Sequence, residues 1–274
     1  MAVNTQFDAG LHSNLVYLGV WSSFSRRCRN GDVVEGDGIV LANGGLSWPG
    51  LNLAMLSSPA RSADDLRARL DFAERYYSQR NRVWLAVLYE PWIRFEKQPR
   101  LSSWGLQYTE DAVGMMADGL RPPSHPLPRL EFIEARDKAS RLAFADINAD
   151  AYEIPDEWLR ETIDSGPHWL PPAQIYLGCT GGEAVTAAMI QPFEDSLFLG
   201  WVATRRAFQR RGLAEAVIRY AIGQAQRKFG AKKIVLHATP FSLDLYRRMG
   251  FDAVARFGLY VGGLPVATSL ALSA

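Results

Sequence analysis

From Leu213 to Phe229 the apolar residues Leu213, Val217, Ala221 and Ala225 recur every four positions, with Glu215, Arg219 and Gln226 elsewhere. That is the stripe of a helix burying one face, and Gly230 stands where its C-terminal cap belongs. The surrounding pattern is a regular alternation. Arg129–Ala135 and Ser196–Thr204 read as strands, as does Lys233–Ala238. Gln174–Cys179 and Glu183–Gln191 are β-rich runs joined by Thr180-Gly-Gly182, a hairpin signal. Asp137–Ala151 places Ala139, Leu142, Ala143 and Ile147 at helical spacing. Pro155 suits the first position of a second helix running from Asp156 to about Ile163. Ser242–Met249 is a short helix closed by Gly250, and Phe251–Val261 a final strand.

The earlier part of the chain is less regular. Asp37–Ala42, Leu51–Ser57 and Val83–Tyr89 read as strands, and Ser62–Arg80 as a helix capped by Ser62. Leu101–Leu106 precedes an apolar run ending Val113-Gly-Met-Met116. The order of elements echoes that of the second part, without a match of residues. Between the two lies Gly119-Leu-Arg-Pro-Pro-Ser-His-Pro-Leu-Pro128, a proline-rich stretch that neither a helix nor a central strand accommodates. The expected organisation is an α/β protein of two domains, 1–120 and 129–274, with 121–128 as a stiff linker.

Composition narrows the class. Hydrophobic residues make up 48% and charged residues 22%, as in globular proteins with a sizeable core. A net charge of +1 argues against a general nucleic-acid binder. Cys28 and Cys179 are far apart and match no metal-ligand spacing, which fits a reducing compartment. No leader-like start and no long apolar run stand out, so the expected location is cytoplasmic, without membrane attachment.

The chemistry concentrates in Gln209-Arg-Arg-Gly-Leu-Ala214, between the strand ending at Thr204 and the helix opening at Leu213. A helix N-terminus offers unpaired N–H groups and partial positive charge, and a glycine there lets a phosphate approach the backbone. From Arg205 to Lys233 there are nine Lys or Arg and a single acidic residue, Glu215. Arg210 and Arg211 read as phosphate ligands. Arg219, Arg227, Lys228, Lys232 and Lys233 read either as ligands or as a solvated helix face. A P-loop is excluded, because QRRGLA lacks its Gly-x-x-x-x-Gly-Lys spacing.

Val202-Ala-Thr-Arg-Arg-Ala-Phe-Gln-Arg-Arg-Gly-Leu-Ala214 resembles the acyl-CoA signature of the GCN5-related N-acetyltransferases, and Leu245-Tyr-Arg-Arg-Met-Gly-Phe251 resembles their later L-Y-x-x-x-G-F signature. The resemblance covers about Leu130–Val261. More loosely, the whole chain resembles bacterial tandem members whose first half is a degenerate copy, each half a mixed, mostly antiparallel sheet flanked by helices. The first half has no match to the pyrophosphate signature, which argues against cofactor binding there. Arg206 stands where the family commonly has proline, and Thr239 where it often has asparagine.

What the resemblance implies is a donor site for acetyl-CoA as cosubstrate, with no metal. Trp201, Val202 and Thr204 would face the pantetheine arm from a strand that splays from its neighbour. Gln209, Arg210, Arg211, Gly212, Leu213 and Ala214 would wrap the pyrophosphate, and Thr239 would contact the arm. Tyr246 falls at the general-acid position, where a hydroxyl can protonate the departing sulfur as a tetrahedral intermediate collapses.

A base for the acceptor ammonium is also expected. Glu194, Asp195, His237, Glu153 and Asp156 are candidates, each reading more readily as a surface or turn residue or, for His237, a core or rim residue. The aromatic segment Tyr152–Pro172, with Trp158, His168 and Trp169, could line an acceptor pocket or pack between domains. Trp48, Trp84, Trp92 and Trp104 suit the first half's core or the seam. The expected reaction is acetyl transfer to a primary amine of a small molecule or peptide by direct attack, since neither cysteine lies in a nucleophile motif. The expected assembly is a monomer or homodimer. Other acyl or aminoacyl transfer, or a non-catalytic acyl-CoA-binding regulator, are the alternatives.

Overall fold

The computed structural model describes residues 8–263 apart from Leu170 and Ala231. The outer ends of the two expected domains and the side chain of His168 lie outside the described residues. The first half runs α1 (Ala9–Arg27), β1 (Asp32–Gly36), β2 (Ile39–Asn43), β3 (Asn52–Leu56), α2 (Ala63–Ser78), β4 (Trp84–Tyr89) and β5 (Gln107–Ala117). The second runs β6 (Glu131–Glu134), α3 (Lys138–Tyr152), α4 (Asp156–Asp164), β7 (Gln174–Thr180), β8 (Glu183–Phe193), β9 (Ser196–Thr204), α5 (Leu213–Phe229), β10 (Lys233–Ala238), α6 (Leu243–Met249) and β11 (Asp252–Gly262).

Among the described residues all the strands join one eleven-stranded sheet in the order β1-β2-β3-β4-β11-β5-β10-β9-β8-β7-β6. Neighbours are antiparallel except β3–β4 and β9–β10. The centre of this order is non-local. β5, the last strand of the first half, pairs with β10 from Ala117↔Ile234 to Val113↔Ala238. β11, the last strand of the second half, pairs with β4 from Tyr89↔Phe257 to Trp84↔Gly262. β5 and β11 pair with each other. Each half's last strand thus lies against the other half's penultimate one, and the seam is continuous backbone hydrogen bonding.

Side chains alternate across the sheet. One face carries Val87, Ala112, Met116, Phe198, Val235 and Phe257 beneath α1, α3 and α4. The opposite face is covered by α2 over the first half and by α5 and α6 over the second. An aromatic cluster fills the seam under α1. Trp201 lies 5.2 Å from both Trp48 and Trp169, 5.9 Å from Phe144 and 6.3 Å from Trp21, ring centre to ring centre. Trp84 instead stacks on Tyr77 at 5.7 Å beneath α2.

The periodic segments form where the pattern places them, and Ser62 caps α2 by accepting from the Asp65 N–H. Pro155 is a correction: it is the cap residue preceding α4. The helix α1 and strand β1 carry no counterpart in the sequence reading. The buried side of α1 mixes Ser13, Asn14, Ser22 and Ser25 with Val16, Val20, Trp21 and Phe24, which breaks the apolar stripe that marks a helix.

Candidate active site

The parallel pair β9–β10 is joined over only three residue pairs, Ser196↔Lys233 to Phe198↔Val235. Beyond Phe198 the strands part, and a wedge opens toward their C-terminal ends. At that point β9 bulges: Met189 pairs with Gly200 but Ala187 with Ala203. Trp201, at the bulge, has φ +53°, a left-handed conformation that a bulky residue rarely adopts. The extra residue shifts the alternation, so Trp201 and Ala203 face the same side as Phe198, while Val202 turns to the α5 side. The Trp201 side chain is therefore taken up by the aromatic cluster. Thr204 is buried with its hydroxyl 2.8 Å from Thr186, and the Val202 carbonyl accepts a 2.7 Å hydrogen bond from the Tyr152 hydroxyl.

The chain then makes a 3-10 turn over Arg206–Phe208 and enters α5 through Gly212, a left-handed N-cap (φ +75°) without a side-chain capping bond. Arg210 is left-handed too, at φ +64°. Such turns aim successive N–H groups to one concave side. Among the described residues, the N–H groups of Arg210, Arg211, Gly212, Leu213 and Ala214 meet no protein acceptor. A Cβ added at Gly212 would touch only Pro128, at 3.4 Å. Gln209 braces the loop by donating from Nε2 to the Thr204 carbonyl, and Arg211 donates to the Ala207 carbonyl above the Phe208 ring. The loop geometry fits a phosphate ester: unpaired donors, a positive helix end, exposed Arg210 and Arg211, and room at the glycine.

Tyr246 on α6 is buried, its ring 5.7 Å from Phe251, and Thr239 begins the turn before α6 with its hydroxyl 3.5 Å from that of Ser242. Burial first, then the neighbouring Tyr152, pushes the Tyr246 hydroxyl above the ordinary tyrosine range, so it holds its proton at neutral pH. Tyr152 is pushed up to about 12, by burial and then by the charge of Glu110. Tyr152 closes α3, with its hydroxyl on the Val202 carbonyl and the charge of Glu110 felt there. Nothing in the local sequence around Glu110 marks it, because it reaches this place only through the pairing of β5 with β10.

The other candidate bases lie apart. Glu194 and Asp195 form the β8–β9 turn, at the opposite end of β9 from the loop, about 25 Å along the strand by its rise per residue. His237 is sandwiched between Tyr17 and Phe257, with ring centres 4.0 and 4.2 Å away, and Ser13 lies 3.2 Å from its Nε2. Burial lowers its pKa to about 3 and keeps it neutral. Glu153 and Asp156 line a polar cavity of about 620 Å3 beside Arg205 and Arg206. There Arg206 is paired with Asp150 and Glu153.

The corresponding helix start in the first half has the opposite character. The α2 N-terminus is capped by Ser62 and carries Asp64 and Asp65 in its first turn. The buried Arg69 guanidinium fills the adjoining turn, donating to the carbonyls of Gly38, Ser58 and Pro59 and to Asp65. Hydrogen bonds from Arg61 hold Asp65 well below the usual carboxylate range.

Residues 141–251 match the model of the acetyltransferase (GNAT) family. Acyl transfer from an acyl-CoA is the general chemistry of the family. Among solved structures, a GCN5-related N-acetyltransferase from Kribbella flavida superposes with a TM-score of 0.68 at 18% identity, covering 94% of this chain and 98% of that one. One from Sphaerobacter thermophilus gives 0.53 at 16% identity, covering 94% and 93%. A tandem GNAT protein from the clavulanic acid biosynthesis pathway gives 0.53 at 12% identity, covering 83% and 79%. These likenesses extend over both halves and concern the fold. No curated protein matches the sequence at a significant level. Among the described residues no helix is long and apolar enough to cross a membrane.

Proposed function

We propose that the chain transfers an acetyl group from acetyl-CoA to a primary amine by direct attack, with the donor held by the second half. The observation that carries this reading is the run of unpaired N–H groups from Arg210 to Ala214, at the end of a parted parallel strand pair, with the buried Tyr246 on the helix that follows β10. In this reading those N–H groups, with Arg210 and Arg211, hold the pyrophosphate. The open edge of β9 from Trp201 to Thr204, with Thr239, aligns the pantetheine arm. The donor supplies the acetyl group as a thioester. Tyr246 keeps a proton at Oη that the departing sulfur takes up.

The first half, with α2 capped by its own acidic residues and its turn filled by Arg69, is read as shaping the acceptor side. The residue ranges 1–120 and 129–274 serve as working boundaries, although the central strands interleave. The test is an acetylation assay over a panel of small amines and amine-bearing peptides, with free CoA as readout. Release of CoA with product amide supports the reading. Tight acetyl-CoA binding without turnover on any amine would instead favour a sensor of acyl-CoA.

A further inference from the structure

We propose that Glu110, on the first half's last strand, is the base that takes the proton from the acceptor ammonium; this rests on the acyl-transfer reading above. The pairing of β5 with β10 ends at Val113↔Ala238, at the same end at which β9 and β10 part. β5 continues beyond that point, held on its other side by β11 through Glu110↔Leu259. Glu110 therefore stands on the strand edge that borders the wedge. It shares a face with Ala112 and Met116, the face on which α3 ends in Tyr152.

Its surroundings distinguish it from the structural carboxylates nearby. Asp111 accepts from Arg256 and Tyr108, and Glu90 is paired with Arg256. The half-buried Glu110 carboxylate makes no hydrogen bond or ion pair with any described residue. The charged and titratable groups around it are Asp111 and Tyr108 on its own strand, Tyr152 on α3, and Tyr246 beyond Tyr152. On β11, Arg256 is committed to Asp111 and Glu90. Burial and Asp111 raise the pKa of Glu110, moving it toward the range a base needs.

The step balances. An N–H bond of the ammonium breaks and an O–H bond forms on Glu110. The freed lone pair makes the C–N bond while the C–S pair leaves with sulfur, which takes the proton from Tyr246. The second nitrogen proton passes to water, water reprotonates Tyr246, and Glu110 releases its proton to solvent.

The test compares E110Q with the full-length wild type on two probes. n-Propylamine is a cation at neutral pH; 2,2,2-trifluoroethylamine is uncharged there and needs no base before attack. Turnover of n-propylamine should fall about 100-fold or more, and the acidic limb of kcat/KM against pH should move up toward the amine's own pKa. The loss with trifluoroethylamine should stay under about tenfold, and acetyl-CoA affinity by calorimetry should hold. Gln107→Ala, at the exposed start of the same strand, controls for damage to the strand and should change turnover of either amine less than about twofold. Equal losses on both amines, or an unmoved limb, overturn the role of Glu110 while leaving acyl transfer intact. If the wild type acetylates neither probe nor any amine of the panel, the acyl-transfer reading falls and Glu110 falls with it.

Discussion

Gly212→Asp separates the two properties that the loop combines. In the folded chain residue 212 is left-handed at φ +75°, and an added Cβ meets only Pro128 at an ordinary 3.4 Å. Any side chain there therefore meets backbone strain, of about 1–2 kcal/mol, rather than a clash. That strain is present with and without ligand, so it lowers the melting temperature by a few degrees and leaves affinity alone. The Asp carboxylate adds a charge term. At about 5 Å from a phosphate, two unit negative charges repel by roughly 1 kcal/mol in water and about 3 kcal/mol at an effective dielectric of 20. Acetyl-CoA affinity should fall roughly 5- to 150-fold for Asp and little for Ala. Calorimetric titration of wild type, Gly212→Ala and Gly212→Asp, with thermal melts of the same samples, reads both effects. Equal affinity in all three proteins would refute the placement of the pyrophosphate, and equal weakening by Ala and Asp would refute the electrostatic argument.

Three further outcomes are expected. Tyr246→Phe should lower turnover about 100-fold or more while acetyl-CoA affinity changes less than threefold or so; single-turnover rates beside calorimetry decide it, and unchanged turnover removes Tyr246 from the reaction. His237 is neutral in the fold with a pKa near 3, whereas the unfolded chain takes up its proton near 6.5, so stability falls as pH drops through that window and is unaffected above it. At pH 5 the loss is about 2 kcal/mol; urea titrations at pH 7 and 5 should show it in the wild type and less of it in His237→Phe, and an identical pH response in both would refute it. Arg69→Met removes one of the two arginines on Asp65 and leaves the carbonyls of Gly38, Ser58 and Pro59 without their donor, and should cost about 3 kcal/mol or more. Denaturant midpoints test this, with acetyl-CoA affinity of the folded protein expected to hold.

Much of the second half was legible because its signals are local. The stripe from Leu213 to Ala225, the hairpin at Thr180–Gly182 and Gly230 as a cap need only near neighbours, and the helix ends at Phe229 as its pattern indicates. The loop at Gln209–Ala214 was legible for the same reason, since a strand end, a glycine and a helix start follow directly in the chain. The bulge at Trp201 was not. It turns that side chain into a cluster built from Trp21, Trp48, Phe144 and Trp169, four distant positions. α1 was hidden because the neighbours that cover its buried serines and asparagine lie far along the chain.

The sequence by itself determined the elements of the second half, the strand-to-helix loop at Gln209–Ala214 and the position of Tyr246 on the short helix after β10. Tertiary structure alone decided the centre of the sheet, where β11 lies between β4 and β5 and β5 lies against β10. The reason is physical. Helix periodicity and capping are properties of a few consecutive residues, whereas a strand's alternation says which face is buried and nothing about which strand lies beside it. Glu110 belongs wholly to that second kind of information. Its chemistry is that of any glutamate, and its place at the wedge comes from a strand pairing that spans more than a hundred residues of chain.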